Sequence, residues 1–401
     1  MDLTLTDSEE QLQQEVRAWL ARTLPALPAR PATDDWPGRR RFDTDWQRRL
    51  HDAGYAGLNW PVDCGGRGFT PVEQLVFLEE LTRARAPGAG VNIPGTLHAG
   101  PTLVAEASAE QRARYLPPIL RGDEVWCQGF SEPGAGSDLA SLRTRAERDG
   151  DEYVVTGQKI WTTHAHVADL CEMLVRTDFD VDRKHKGITW LVVPMDAPGL
   201  TVRPIRTLAG TTEFSEVFLD EVRVPVANRV GDEGDGWRVA MVTFSFERGT
   251  AFVNELVEGI GFVRALSDLE RQLTGGHSGD GVRSELGWCA AQLDALWALN
   301  KRNVTRAMAS DAADPGGGSV LKLHLSEVWG RLTDVGMRIL DRRGLALDDL
   351  DVAGTGHYVE ERLRALCLGL GGGTSEIQRN IIGERVLGLP KEPAPANGRV
   401  L

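Results

Sequence analysis

Hydrophobic positions recur at helical spacing from the start of the chain. Leu12, Val16, Trp19 and Leu20 share one face of a 3.6-residue repeat, and Thr6 with Glu9 has capping-box spacing. A helix is therefore predicted from just after Thr6 until Pro25 stops it, and further helical stretches follow around 71–84 and 108–120.

From about Val125 the pattern changes to short apolar runs bounded by Gly, Pro or Asp. EYVVTGQKIWTT follows an Asp149-Gly150 turn, and GITWLVVPM and SEVFLDEVRVPV come next, which predicts a compact β unit. Beyond GDEGDG the chain turns helical again to about Leu389, with Met241, Phe244, Phe252, Leu256 and Ile260 as an apolar stripe. GGHSGDG and DAADPGGGS read as surface links, and KEPAPANGRVL holds too little apolar surface to dock.

Helices, a small β unit, then helices make an α+β arrangement. The expected divisions are an N-terminal helical domain over 1–122, a central β domain over 123–232, a C-terminal helical bundle over 233–390 and a flexible tail over 391–401. No G-x-G-x-x-G opens a strand-to-helix turn, so a nicotinamide-type dinucleotide fold is not supported.

Composition narrows the function classes. A length of 401 residues with 41% hydrophobic and 26% charged positions is ordinary globular usage. A net charge of −13 repels polyphosphate, which argues against nucleic acid as a partner. Five scattered cysteines with no C-x-x-C pair suggest neither a disulfide framework nor a zinc site, and fit a reducing cytoplasm. The acidic, amphipathic N-terminus is unlike a signal peptide, and no apolar run is long enough for membrane insertion, so a cytoplasmic location is expected.

The richest chemistry lies in WCQGFSEPGAGSD, Trp126 to Asp138, where hydroxyls and unhindered backbone N–H groups crowd a loop leaving a strand. Such a loop can hydrogen-bond a flat heteroaromatic ring and a phosphate. Further on, GQKIWTT offers the aromatic face of Trp161 and the Thr163 hydroxyl at alternating strand positions. Taken alone, these features fit a surface loop and a core Trp equally well.

Several motifs together, in order and nearly end to end, decide between those readings. GLNWPVDCGGRG, LPPILRGDEVWCQGFSEPGAGSDLA, YVVTGQKIWTTHA, VFLDEVRVPV, GDGWRVA and GGGTSEIQRNIIGERVLGLP make the chain resemble the acyl-CoA dehydrogenase family of flavoproteins. The resemblance implies a central β-barrel or sandwich, a C-terminal four-helix bundle, and FAD between the two. Carried onto this chain, it places Gln128, Phe130 and Ser131 at the flavin ring, Ser137 at the pyrophosphate or thioester ligand, and Trp161 and Thr163 at the other flavin edge. Thr374 and Glu376, opening the last helix, are expected beside the cofactor too.

The chain departs from the family at the catalytic base. Most members carry a glutamate directly before the G-T-S motif, where this chain has Gly372 within Gly371-Gly372-Gly373. A minority hold the base on another helix, before an arginine, and Glu247-Arg248 in TFSFERGT fits that alternative. A helical face shared with Thr243, Phe244, Thr250 and Ala251 would partly desolvate the Glu247 carboxylate and raise its pKa. The implied reaction uses Glu247 for the α-proton, the Gly372 backbone N–H and a flavin hydroxyl at the thioester carbonyl, Arg248 in support, and hydride transfer to flavin N5. A trans-2-enoyl-CoA results.

The three glycines suggest a wide acyl pocket, and FERG with GGGTSEIQRNIIGERVLGLP resembles the subfamily acting on CoA thioesters of steroid side chains and other large acids. The family's adenine-side motifs, R-x-x-F-G and Q-I-x-G-G, are replaced by RQLTGGHSGDGVRSE and RILDRRG. An α2β2 heterotetramer with a second acyl-CoA dehydrogenase-like chain is therefore expected, a homotetramer being the alternative. An electron-transfer flavoprotein is the implied electron acceptor. A flavin oxidase or monooxygenase on the same fold, and a non-catalytic subunit, are the competing readings.

Other residues are set aside. His164 and His166 are expected at the surface or behind the site rather than on a metal, Cys127 in the core, and RPATDDWPGRRRFDTDW on a solvated face.

Overall fold

The capping box foreseen at Thr6 forms. Its hydroxyl accepts the Glu9 N–H and its own N–H reaches the Glu9 carboxylate at 2.8 Å, which starts helix α1 (Asp7–Thr23) with Leu12, Val16 and Leu20 buried. The structure, a computed structural model, describes residues 5–247, 253–275, 279–309 and 317–391. The chain divides into two compact units, residues 2–251 and residues 252–401.

In the first unit α1 is followed by α2 (Trp36–Asp52), α3 (Pro71–Arg83), α4 (Gly100–Glu106) and α5 (Ala109–Arg121). Capping boxes at Thr70/Glu73 and Ser108/Gln111 set the starts of α3 and α5. A π-helical turn, Pro94–Ala99, leads into α4.

The Arg-rich stretch is not simply a solvated face. Phe42 and Trp46 are buried, the buried Asp43 carboxylate accepts the Val91 N–H at 2.9 Å, and Arg40 pairs with Asp169 at 2.6 Å. Its alternating charges concealed an inward stripe four residues apart.

The sheet consists of β1 (Trp126–Gly129), β2 (Arg145–Asp149), β3 (Glu152–Thr163), β4 (Leu170–Arg176), β5 (Ile188–Pro194), β6 (Leu200–Ile205), β7 (Phe214–Pro225) and β8 (Arg229–Val230). Their order is β6-β7-β3-β2-β4-β5-β8, and β1 lies parallel to β4, with Gln128 opposite Glu172. Every residue of β4 is buried although Glu172 and Arg176 interrupt its apolar run. Arg176 tolerates this because its guanidinium donates to the carbonyls of Ala140, Leu142, Lys184 and Lys186. After GDEGDG the chain enters α6 (Gly236–Glu247), where a Cβ on Gly236 would lie 2.5 Å from the Thr189 carbonyl carbon. Only glycine allows that approach.

The second unit is helical: α7 (Val253–Thr274), α8 (Asp280–Ala309), α9 (Gly317–Leu340), α10 (Thr355–Ala365) and α11 (Ser375–Ile381). Its core joins Leu256, Leu266, Cys289, Leu293, Leu321, Val328 and Leu332. Both expected links are partly helix: α8 takes up Asp280 and Gly281, and α9 takes up Gly317 to Ser319. Of the expected tail, only Lys391 is among the described residues, and Phe252 lies outside them. Among the described residues no helix is long and apolar enough to cross a membrane.

Candidate functional site

The SEPGAGSD loop is built on one tight turn. The Glu132 N–H donates to the Ala135 carbonyl and the Ala135 N–H returns to the Glu132 carbonyl, both at 3.0 Å. Behind the turn the Glu132 carboxylate accepts the Lys159 ammonium at 2.8 Å, the Arg143 N–H at 2.6 Å and the Thr144 N–H at 2.8 Å. Burial pushes the Glu132 carboxyl up, but the Lys159 charge and these hydrogen bonds outweigh it and hold the group below its ordinary value. Lys159 is wholly buried, and its ammonium also reaches the Phe130 carbonyl at 3.3 Å.

The same contacts tie the loop to β3. The Ile160 N–H donates to the Ser131 carbonyl at 3.0 Å, which brings Ser131 beside the GQKIWTT strand. The simple strand alternation expected for Trp161 and Thr163 does not hold. The β3–β7 register shifts between Lys159 and Thr162, and Trp161 takes a left-handed φ of 61°. This irregularity holds the indole 56% exposed, edge-on to Phe214 at 6.0 Å. Holding a large aromatic outward on left-handed backbone costs about 1–2 kcal/mol.

Phe130 is buried and meets Phe244 of α6 edge to face at 5.9 Å. Thr243 beside it is buried, its hydroxyl 2.8 Å from that of Thr102. Glu247 closes α6, one turn beyond this contact, whereas Arg248, Thr250 and Ala251 lie outside the described residues. Gln128 donates to the buried Glu172 carboxylate at 3.0 Å and approaches His98 Nδ1 at 3.4 Å. Ser137 is exposed beyond the turn. A cavity of about 380 Å³ borders the loop at Glu132, Pro133, Ser141, Arg143 and Gln158, but none of the expected flavin residues lines it.

Half-buried Ser131 and Thr163 hydroxyls, the outward indole and main-chain donors together suit a flat ring with polar edges. These residues fit a flavin.

In the second unit Gly372 and Gly373 both adopt left-handed backbone, φ 63° and 87°. A Cβ on Gly372 would meet nothing within 4 Å, while one on Gly373 would strike Gln378 Nε2 at 2.7 Å. The carbonyls of this loop are held from behind. Lys322 of α9 donates to Gly373 O at 2.7 Å, and Gln378 Nε2 donates to Gly372 O at 2.9 Å and Gly373 O at 3.3 Å. Among the described residues the Gly372 N–H has no acceptor. Thr374 caps α11 through the Ile377 N–H, and the Glu376 carboxylate is exposed.

Sequence reasoning missed Glu132, Lys159, Glu172, Lys322 and Gln378. Glu132, Lys159 and Gln378 stand inside quoted motifs, but only the fold shows what each of them meets. His164 is buried rather than superficial: it packs on Trp36, and burial, aided by Arg39 and His166, holds it down at about 3. Cys127 is buried as expected. No cluster of three or more His, Cys, Asp or Glu side chains suited to a metal occurs among the described residues.

Three family descriptions match in succession: the acyl-CoA dehydrogenase N-terminal domain over 6–123, the middle domain over 127–222 and the C-terminal domain over 234–387. Acyl-CoA dehydrogenase IpdE1 of Mycobacterium tuberculosis is 40% identical over 395 residues, covering 96% of this chain and 98% of that protein. Among solved structures, the Tcur3481-Tcur3483 steroid ACAD superposes with a TM-score of 0.83 at 32% identity, and the ChsE4-ChsE5 complex from Mycobacterium tuberculosis with 0.82 at 32%. Each covers 98% of this chain and 100% of its own.

Proposed function

Because this chain belongs to the acyl-CoA dehydrogenase family, we propose that it carries out FAD-dependent α,β-dehydrogenation of a bulky acyl-CoA thioester, such as one bearing a steroid side chain, to the trans-2-enoyl-CoA. The observation that carries this reading is the joining of the SEPGAGSD loop to the strand bearing Trp161 and Thr163 through Lys159, Glu132 and Ser131. That joining gives the flavin residues a fixed frame.

When bound, FAD would supply the acceptor for the β-hydrogen and its electron pair. Phe130, Ser131, Trp161 and Thr163 would orient the ring, with Gln128 also in the cofactor site, Ser137 at the pyrophosphate or thioester, and Thr374 and Glu376 beside the cofactor. Glu247 receives the α-proton, supported by the adjacent Arg248. The Gly372 N–H donates to the thioester carbonyl as negative charge develops there. Open space at the Gly372 Cβ supports a bulky acyl group, since a glutamate side chain would otherwise project from that position. The likeness to structures named as a steroid ACAD and as a two-protein complex supports the same substrate class and assembly with a second chain, which we place in an α2β2 heterotetramer. An electron-transfer flavoprotein takes the electrons onward, and the cytoplasm is the proposed location.

The test is Glu247→Gln, loaded with FAD and mixed anaerobically with a steroid side-chain CoA thioester. It retains flavin absorbance and bleaches at least about 100-fold more slowly than wild type. Bleaching at the wild-type rate refutes Glu247 as the base. Rapid reoxidation of the reduced wild-type enzyme by air would favour the oxidase reading.

A further inference from the structure

An oxyanion donor stabilises developing charge only if it is already aimed, because reorienting it during the reaction consumes the gain. Gly371-Gly372-Gly373 is poorly suited to hold any aim by itself. Three consecutive glycines have the widest backbone freedom a chain can have, and no side chain of their own to anchor them. The anchoring comes from two side chains behind the loop.

Lys322 is 6% exposed and Gln378 1% exposed, so both polar heads are removed from water. Burial lowers the Lys322 pKa and the nearby Glu376 charge opposes that shift. Packing alone does not call for a lysine here, since methionine fills similar space without a desolvated charge. The ammonium is directed at the Gly373 carbonyl, and the Gln378 carboxamide nitrogen at the carbonyls of Gly372 and Gly373. A trans peptide is planar, so fixing these two carbonyls fixes the planes of the 372–373 and 373–374 peptides. The Gly372 N–H belongs to the preceding 371–372 peptide, which is pinned between the held Gly372 carbonyl on one side and, on the other, the Gly371 N–H donating to the Cys367 carbonyl at 2.9 Å.

We infer that Lys322 and Gln378 are positioning residues that hold the Gly372 N–H in register for the thioester carbonyl. The inference rests on the reading of Gly372 as an oxyanion donor. All its parts lie within the second unit, and Lys322 and Gln378 act through the backbone without touching substrate.

The experiment uses the FAD-loaded protein and a steroid side-chain CoA thioester in which sulfur replaces the β-carbon. It binds without being dehydrogenated, and its acidified α-carbon ionises to an enolate that shows as long-wavelength absorbance against the oxidised flavin. The ionised fraction against pH reads oxyanion stabilisation separately from turnover. Lys322→Met and Gln378→Met are expected to lower that fraction by about ten- to a hundred-fold, with a matching fall in kcat on the true substrate and little change in analogue affinity. Lys322→Arg, which keeps a donor, is expected to recover part of it.

Wild-type ionisation in both methionine variants overturns the inference. If Lys322→Met does not fold, Gln378→Met alone decides by the same measure. If wild type binds the analogue without ionising it, the oxyanion reading of Gly372 fails and the inference falls with it. Ionisation in wild type that survives both variants refutes the clamp alone.

Discussion

The Lys159 ammonium on β3 donates to the Glu132 carboxylate at 2.8 Å, and this pair joins the turn behind Ser131 to the strand that carries Trp161. Neither charge stands alone. Glu132 also accepts two backbone N–H groups and Lys159 reaches the Phe130 carbonyl, so these hydrogen bonds offset the desolvation of both ions.

Removing one partner strands the other charge in a dry site. Lys159→Met is expected to cost about 3–5 kcal/mol, and the double variant with Glu132→Gln less than the sum of the singles. Urea unfolding of the four proteins in that cycle measures the coupling, and strict additivity would contradict it.

Acid should weaken the first unit through two groups. The Glu132 carboxyl sits below its ordinary value in the fold, so its contribution is present above the unfolded carboxyl range and is lost as pH falls through the lower folded value. His164 is held at about 3 against an ordinary 6.5, so the unfolded chain takes up its proton first and stability drains as pH falls from 6.5 towards 3. His164→Asn, which suits the left-handed φ of 59° there, is expected to flatten the fall in melting temperature between pH 7 and 5. An unchanged slope would remove His164 from the account.

Trp161 sets stability against binding. Trp161→Gly relieves a left-handed φ and removes little buried surface, so the apoprotein should be unchanged or more stable by up to about 1 kcal/mol. With the acyl-CoA dehydrogenase-like partner supplied, its FAD content should fall at the same time, as read by the flavin-to-protein absorbance ratio. A loss of stability with full FAD content would reverse the interpretation.

The glycine pair offers a matched comparison. Gly372→Ala carries only the left-handed penalty of about 1 kcal/mol, because its Cβ enters open space. Gly373→Ala carries the same penalty and also displaces Gln378, so it should be the more destabilising and should lower kcat further. Equal effects would mean that Gln378 yields freely.

The FAD ratio of the chain purified alone tests its assembly. Near zero, rising when an acyl-CoA dehydrogenase-like partner is supplied, is the expected result. Near one per chain would refute an obligate heterotetramer.

Local rules were legible without a structure. The Thr6/Glu9 capping box forms as its spacing predicts, since both groups lie within one helical turn, and the motifs around Phe130, Trp161 and Gly372 carried the family through residue order alone. The strand of Glu172 and Arg176 was not legible, because its buried polar residues find partners remote in the chain: Gln128 donates to Glu172, and Arg176 donates to the carbonyls of Ala140 and Leu142. The bulge that turns Trp161 outward depends on pairing with β7. Likewise Lys159 finds Glu132 across 27 residues and Lys322 finds Gly373 across 51. Periodicity and motif order report what neighbours along the chain do, whereas the partner of a buried charge is chosen only when the tertiary structure excludes water and leaves one acceptor within reach.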